Sequence, residues 1–178
     1  MNQPAASVAR RSVEVGDLAA MSMVDLGDLY RAATAPERMA ELEPATDGRL
    51  LAVRGASSLG DLVAPRGRLA DAALRHAPLW QGKRFSASGE RAGVGVNRFR
   101  LAGARTALPF RCSYGASVID GQPCVVLDYN THGTPRWLRG MRDELRAVSP
   151  GVFFGPIAMR WLGQARLLGY FAVAAPTS

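Results

Sequence analysis

From Trp80 onward the chain breaks into short apolar stretches separated by turn residues, and no other feature limits its fold as tightly. The stretches run over 82–88, 93–102, 106–117, 123–130, 140–148, 152–161 and 166–174. Many short strands at such spacing, with no helical pattern between them, predict an antiparallel sandwich or barrel. "GRLLAVRG" (48–55) predicts one further strand ahead of them.

One hairpin is predicted in detail. "SVIDGQPCVV" places Asp120-Gly121 at a two-residue turn, the strongest short-range hairpin signal. Cys112 then faces Tyr129, Tyr114 faces Leu127, and Ala116 faces Val125. With Leu108 and Phe110 these form one largely apolar, inward face. On the other face an Arg111–Asp128 diagonal pair is available, which reads as a surface ion pair. Cys112 and Cys124 point to opposite faces and cannot bridge without breaking the hairpin, so both are expected as reduced structural thiols.

The first half has a different texture. Residues 1–22 read as a flexible tail, and 23–178 as a single domain whose part over 23–78 is helical. Ser22-Met-Val-Asp25 and Thr34-Ala-Pro-Glu37 fit capping boxes and predict helices over 24–33 and 35–42. "RLADAALRHA" (68–77) predicts a third, closed by Pro78. The apolar share of 48% over 178 residues suffices for one domain with a real core.

Charge is uneven. Residues 79–178 carry twelve Arg and one Lys against five acids, a net of +8, while residues 1–78 sum to −1. A basic half could attract phosphates, anionic lipid or an acidic substrate, but solubility and ion pairs are the favoured account of it. Arg10-Arg11 precedes no continuous apolar segment, so it is not read as an export signal. With two cysteines and no such signal, the cytoplasm is the expected compartment.

"GMRDELRAVSPGVFFG" (140–155) admits two readings. As a helix it buries Leu138, Met141, Leu145 and Val148 and leaves Asp143, Glu144, Arg142 and Arg146 as a solvated face. As a strand it turns Met141, Asp143, Leu145 and Ala147 to one side, aiming a carboxylate where apolar groups point.

Several motifs bear on that choice. "LWQGKRF" (79–85) carries Trp80, Gly82, Lys83 and Phe85 in a W-x-G-K-x-F pattern, some 25 residues after "GRLLAVRG", in which Leu51 stands where a G-x-W-x-G turn has Trp. Asp143, Leu145, Arg146 and Val148 fit a D-x-F-R-x-V segment, followed by Phe153-Phe154-Gly155, and "RLLGYFAVA" forms a closing aromatic strand. The chain thereby resembles the GXWXG domain family and its companion domain over roughly residues 30–174. The resemblance implies a mainly β fold: an antiparallel, lipocalin-like (calycin-type) β-barrel with short N-terminal helices. It favours the strand for 140–148, and it implies no activity. By the motif's logic Trp80 sits at the barrel entrance, as a plug first and a ligand contact second.

Other chemistries find little support in the residues. The two Cys and two His have no metal-ligand spacing, so no metal is expected. Gly93-Val-Gly95 lacks the third glycine of a dinucleotide site, and there is no P-loop and no G-x-S-x-G, so no cofactor is expected. Arg98-Phe-Arg100 interleaves base and aromatic without an RNP-like pair, and nucleic acid is not an expected partner. His132, in "NTHGTPRW", reads as a solvated loop histidine.

What remains is a set of polar groups on inward faces. Asn97 shares a face with Phe99 and Leu101; Tyr114, Cys112 and Tyr129 line the hairpin's interior with Leu127; Asp143 joins them with Met141 in the strand reading. Small barrels of this class hold one small ligand, and apolar walls with a few placed polar groups are the usual ligand site. Asp143, Tyr129 and Tyr114 are the catalytic candidates: the carboxylate as acid or base, the phenols as donors to a developing oxyanion. Asn97, Phe99, Cys112, Leu127, Met141 and Trp80 are the ligand-binding candidates. Each has a structural alternative, such as a Tyr bonded to a backbone carbonyl or an Asp paired with an Arg.

The reading reached is a barrel that holds a small hydrophobic, carboxylate- or phosphate-bearing molecule. A cofactor-free isomerase, cyclase or lyase in the same pocket is the alternative. Association of the Arg-rich outer face with anionic membrane or a protein partner is a second and less favoured one. The sequence sets no oligomeric state.

Overall fold

A computed structural model describes residues 12–53, 80–100 and 103–175. Eight antiparallel strands close into a barrel in simple neighbour order: β1 (Ala45–Val53), β2 (Trp80–Ala87), β3 (Ala92–Arg100), β4 (Ala104–Ala116), β5 (Pro123–Asp128), β6 (Met141–Ser149), β7 (Val152–Trp161) and β8 (Gln164–Ala174), with β8 returning to pair with β1. The expected strands are all present. The 140–148 segment is a strand, so Asp143 faces inward with Leu145. The helix expected over 68–77 lies outside the described residues.

Alternation sorts each strand into two faces. The inward side chains, among them Phe85, Phe110, Cys112, Val125, Leu127, Tyr129, Leu145, Phe153, Phe171 and Val173, form one buried cluster. Met39 and Leu42, from a 3₁₀ turn over Met39–Leu42, enter that cluster and plug one end of the barrel. A second buried cluster lies outside the wall. There Leu18, Leu26 and Tyr30 pack on Leu51, Phe154, Tyr170 and Ala172.

Two expectations for the N-terminal part change. Residues expected to be tail hold α1 (Val15–Ala19), because Leu18 finds a fully buried seat against the barrel and Glu14 and Asp17 cap the turn. Helix α2 (Met23–Ala32) matches its capping box, with the Asp25 amide donating to the Ser22 hydroxyl. The helix expected over 35–42 shrinks to the 3₁₀ turn. Thr34 is drawn into a bridge with Ala147, whose amide donates to the Thr34 carbonyl at 2.7 Å. Glu41 then caps the later turn through the Arg38 amide.

The β4–β5 hairpin keeps its predicted faces but not its register. Cys112 faces Leu127 and Tyr114 faces Val125, so each partner slips by two residues and stays on the same side. The loop lengthens because Asp120 is taken into a two-pronged ion pair with Arg146, Oδ1 at 2.7 Å and Oδ2 at 2.8 Å. Gly121, at φ +74°, closes the turn. Arg111 now stands directly opposite Asp128, whose carboxylate accepts the Asn130 amide. Cys112 and Cys124 are both free and buried.

Candidate functional site

Lys83 is the only lysine of the chain, and its side chain lies inside the barrel, 2% exposed. Period-two alternation puts it there: it shares the β2 face that buries Phe85. Just before it, the β2–β3 ladder shifts between Trp80 and Gly82, and Gly82 adopts φ +127°. A Cβ there would run into the Thr46 carbonyl, so the bulge that re-aims Trp80 and Lys83 requires glycine.

The ammonium has three donors and three acceptors. Lys83 Nζ lies 2.8 Å from Asp143 Oδ2, 3.0 Å from Asn97 Oδ1 and 2.6 Å from the Tyr129 hydroxyl. In an eight-strand ring β2 and β6 stand opposite each other, so the Lys83–Asp143 pair spans the lumen. The rings of Phe171, Phe110, Tyr129 and Trp80 surround Nζ, with centroids 4.8 to 5.5 Å away. Such rings stabilise a desolvated cation.

The remaining bonds fix the protonation pattern. The Tyr129 hydroxyl donates to Asp143 Oδ2 at 2.8 Å and accepts from Lys83 and from Asn97 Nδ2. Asn97 uses both ends: Oδ1 accepts from Lys83 and from Trp80 Nε1, while Nδ2 also donates to the Leu108 carbonyl at 3.1 Å. Leu108 supplies that carbonyl from a bulge in β4, where it takes φ +55°. A non-glycine residue held in the left-handed region beside a polar cluster marks a backbone shaped for that cluster. One atom is left over. Asp143 Oδ1 is buried and has no hydrogen-bond partner.

Burial acts on the two proton donors in opposite directions. Desolvation pulls the Lys83 amine below its ordinary value, and the Asp143 carboxylate opposes that pull. Desolvation and then Asp143 push the Tyr129 phenol well above its ordinary value. At neutral pH Tyr129 therefore keeps its proton and donates to Asp143.

This cluster forms the polar part of a cavity of about 260 Å³. Leu50, Trp80, Phe99, Leu108, Met141, Ile157 and Phe171 supply apolar wall, and exposed Arg49 stands beside it. Of the residues expected to form a site, Asp143, Tyr129, Asn97, Phe99, Met141 and Trp80 line this cavity together. Trp80 is a cavity wall, and its indole lies against Gly48.

Tyr114, Cys112 and Leu127 are elsewhere. Tyr114 shares the inward face but sits toward the plugged end, donating to the Pro36 carbonyl at 2.8 Å with Arg91 stacked on its ring at 4.4 Å. Cys112 and Leu127 belong to the packed core. His132 is exposed. The cation that compensates Asp143 is not an arginine of a neighbouring strand but Lys83. Alternation from Phe85 was the signal that could have found it.

The opposite face of β6 carries charges that are buried rather than solvated. Glu144 accepts from the Tyr30 hydroxyl at 2.9 Å, from the Val118 amide at 2.8 Å and from Arg142 Nε at 3.0 Å. Arg146 holds Asp120, the Tyr30 carbonyl and the backbone carbonyls of Pro123 and Gln122. These bonds lock α2 and the β4–β5 loop to the barrel wall. Among the described residues no helix is long and apolar enough to cross a membrane.

The fold and the polar-floored cavity define a lipocalin-like, closed eight-stranded β-barrel. No family model and no curated protein matches the chain. Among solved structures, a protein from Thermomonospora curvata superposes with a TM-score of 0.52 at 17% identity, covering 88% of this chain and 89% of that one. That similarity concerns the fold alone.

Proposed function

We propose that the barrel binds one small, mainly apolar molecule in the cavity beside Lys83 and Asp143. The observation that carries this reading is the unpartnered, buried Asp143 Oδ1 in a cavity-lining residue. A buried carboxylate oxygen without a donor is costly, and a ligand hydroxyl or N–H would satisfy it. The cavity has the volume of roughly nine waters at about 30 Å³ each, room for a compact ligand. An anionic group on the ligand would meet Arg49 rather than the floor, where Lys83 already has three acceptors.

Native mass spectrometry of gently purified protein, and titration of tryptophan fluorescence with small aromatic alcohols, test the reading. Asp143→Asn should weaken the best alcohol about tenfold or more, the worth of a hydrogen bond to a charged acceptor. A panel in which nothing binds, or binding indifferent to both Asp143→Asn and a cavity-filling Ile157→Trp, would overturn it.

A second reading is a cofactor-independent isomerase, cyclase or lyase in the same cavity. It is favoured by the direct contact of a carboxylate, a phenol and an amine, which can accept, donate and hold a proton in one place. Asp143→Asn should then abolish turnover of the bound molecule; a folded variant with unchanged turnover removes Asp143 from that role.

A further inference from the structure

We propose that Lys83 forms a reversible imine with an apolar aldehyde or ketone held in this cavity. The inference rests on the binding reading above and names its ligand class.

Three observations place the amine for that chemistry. Lys83 is one of the residues lining the cavity, beside Asp143, Tyr129 and Asn97. Its side chain is almost wholly out of water, which disfavours the ammonium, and the aromatic faces around it keep water from an imine once one has formed. Asp143 Oδ2 lies 2.8 Å from Nζ, close enough to take the proton that must leave before nitrogen can attack.

The reaction balances without a co-reactant. Asp143 takes one proton from the ammonium, and the freed lone pair of Nζ forms an N–C bond to the carbonyl carbon. The carbonyl oxygen takes up protons and leaves as water, its C–O bonds broken. Overall, ammonium and carbonyl become protonated imine and water, and one positive charge is kept on nitrogen. Asp143 is again a carboxylate beside a cation, so the buried ion pair survives the change of partner. The carbinolamine hydroxyl that precedes water loss is a donor, and Asp143 Oδ1 is the acceptor without one. The protonated imine keeps one N–H, for Asp143, so Asn97 and Tyr129 release the nitrogen and keep their bond to each other.

The single lysine makes the test direct. The full chain is incubated with 4-isopropylbenzaldehyde, reduced with sodium borohydride, and examined as intact mass and peptides; 4-isopropylbenzyl alcohol is titrated in parallel by tryptophan fluorescence. The expected result is one adduct, the mass of the aldehyde less one oxygen atom, on Lys83, with protection of the 83–84 bond from trypsin. Prior saturation with the alcohol should lower the yield at least tenfold, and Lys83→Arg should lose the adduct. If the alcohol binds but the label is absent, or sits only on the Met1 α-amine, the imine is overturned and the binding reading stands. If neither probe binds, both fall. Because the peptide map is made on the unaltered chain, an unfolded Lys83→Arg protein does not blunt the outcome.

Discussion

Lys83 Nζ lies 2.8 Å from Asp143 Oδ2 across the barrel lumen, and the two side chains are 2% and 5% exposed. Removing one member of such a pair leaves an uncompensated buried charge, which costs about 3–5 kcal/mol, whereas removing both can be nearly neutral. Lys83→Met and Asp143→Leu should each lose stability on that scale in urea unfolding, and the double variant should be more stable than either. Losses that simply add would show that the pair is not coupled.

Outside the wall, the Tyr30 hydroxyl donates to Glu144 Oε2 at 2.9 Å in a fully buried contact. Tyr30→Phe keeps the ring edge-on to Phe154 but deletes the donor. The expected loss is about 1–3 kcal/mol, the penalty of leaving a buried acceptor short of a partner. Faster hydrogen exchange should appear in α2, which this bond ties to β6; unchanged exchange would assign the tie to Arg146 alone.

Gly48 lies beneath the Trp80 indole, and a Cβ there would meet the ring and sit 2.6 Å from the Gly82 Cα. Gly48→Ala should push the indole off its seat and break its hydrogen bond to Asn97. A red-shifted, more quenchable tryptophan emission and a fall of several degrees in Tm are the expected readouts, since about 1 kcal/mol moves Tm by a few degrees at this size. An unshifted emission would mean that the β1 backbone yields instead.

Burial pushes the Cys112 thiol up to about 12 and the Cys124 thiol up to about 11. In the unfolded chain both ionise near 9, so above that pH the unfolded state binds fewer protons and stability falls as pH rises. Between pH 9 and about 10 each thiol should remove about 1 kcal/mol. Cys112→Ala should therefore show a shallower alkaline loss than the parent protein, and neither thiol should react with iodoacetamide at neutral pH without unfolding. Equal slopes would place the ionisation elsewhere.

The strand rhythm after Trp80 was enough to set the architecture, because alternation and turn spacing are local properties of the chain. The faces of the β4–β5 hairpin followed from the same local rule and survived a two-residue slip, whereas the register did not. The Asp120–Arg146 pair that moved it joins residues 26 apart. Asp143, Tyr129 and Asn97 were legible as polar groups on inward faces. Their meeting point was not, since ring closure alone brings β2 opposite β6. Lys83 does not stand out as a site residue because a lysine is ordinarily a surface group, and only its alternation with Phe85 argues otherwise. Tyr114 failed for the converse reason: a shared face says nothing about depth along the barrel.

With its one lysine enclosed, the protein shows the solvent a coat of guanidinium groups and no side-chain amine. Guanidinium stays charged far above neutral pH and is a poor target for acyl donors. The positive exterior is thus permanent. Reagents that acetylate or crosslink amines can reach the interior nitrogen only by unfolding the protein or passing through the cavity, so amine acylation doubles as a gauge of barrel opening.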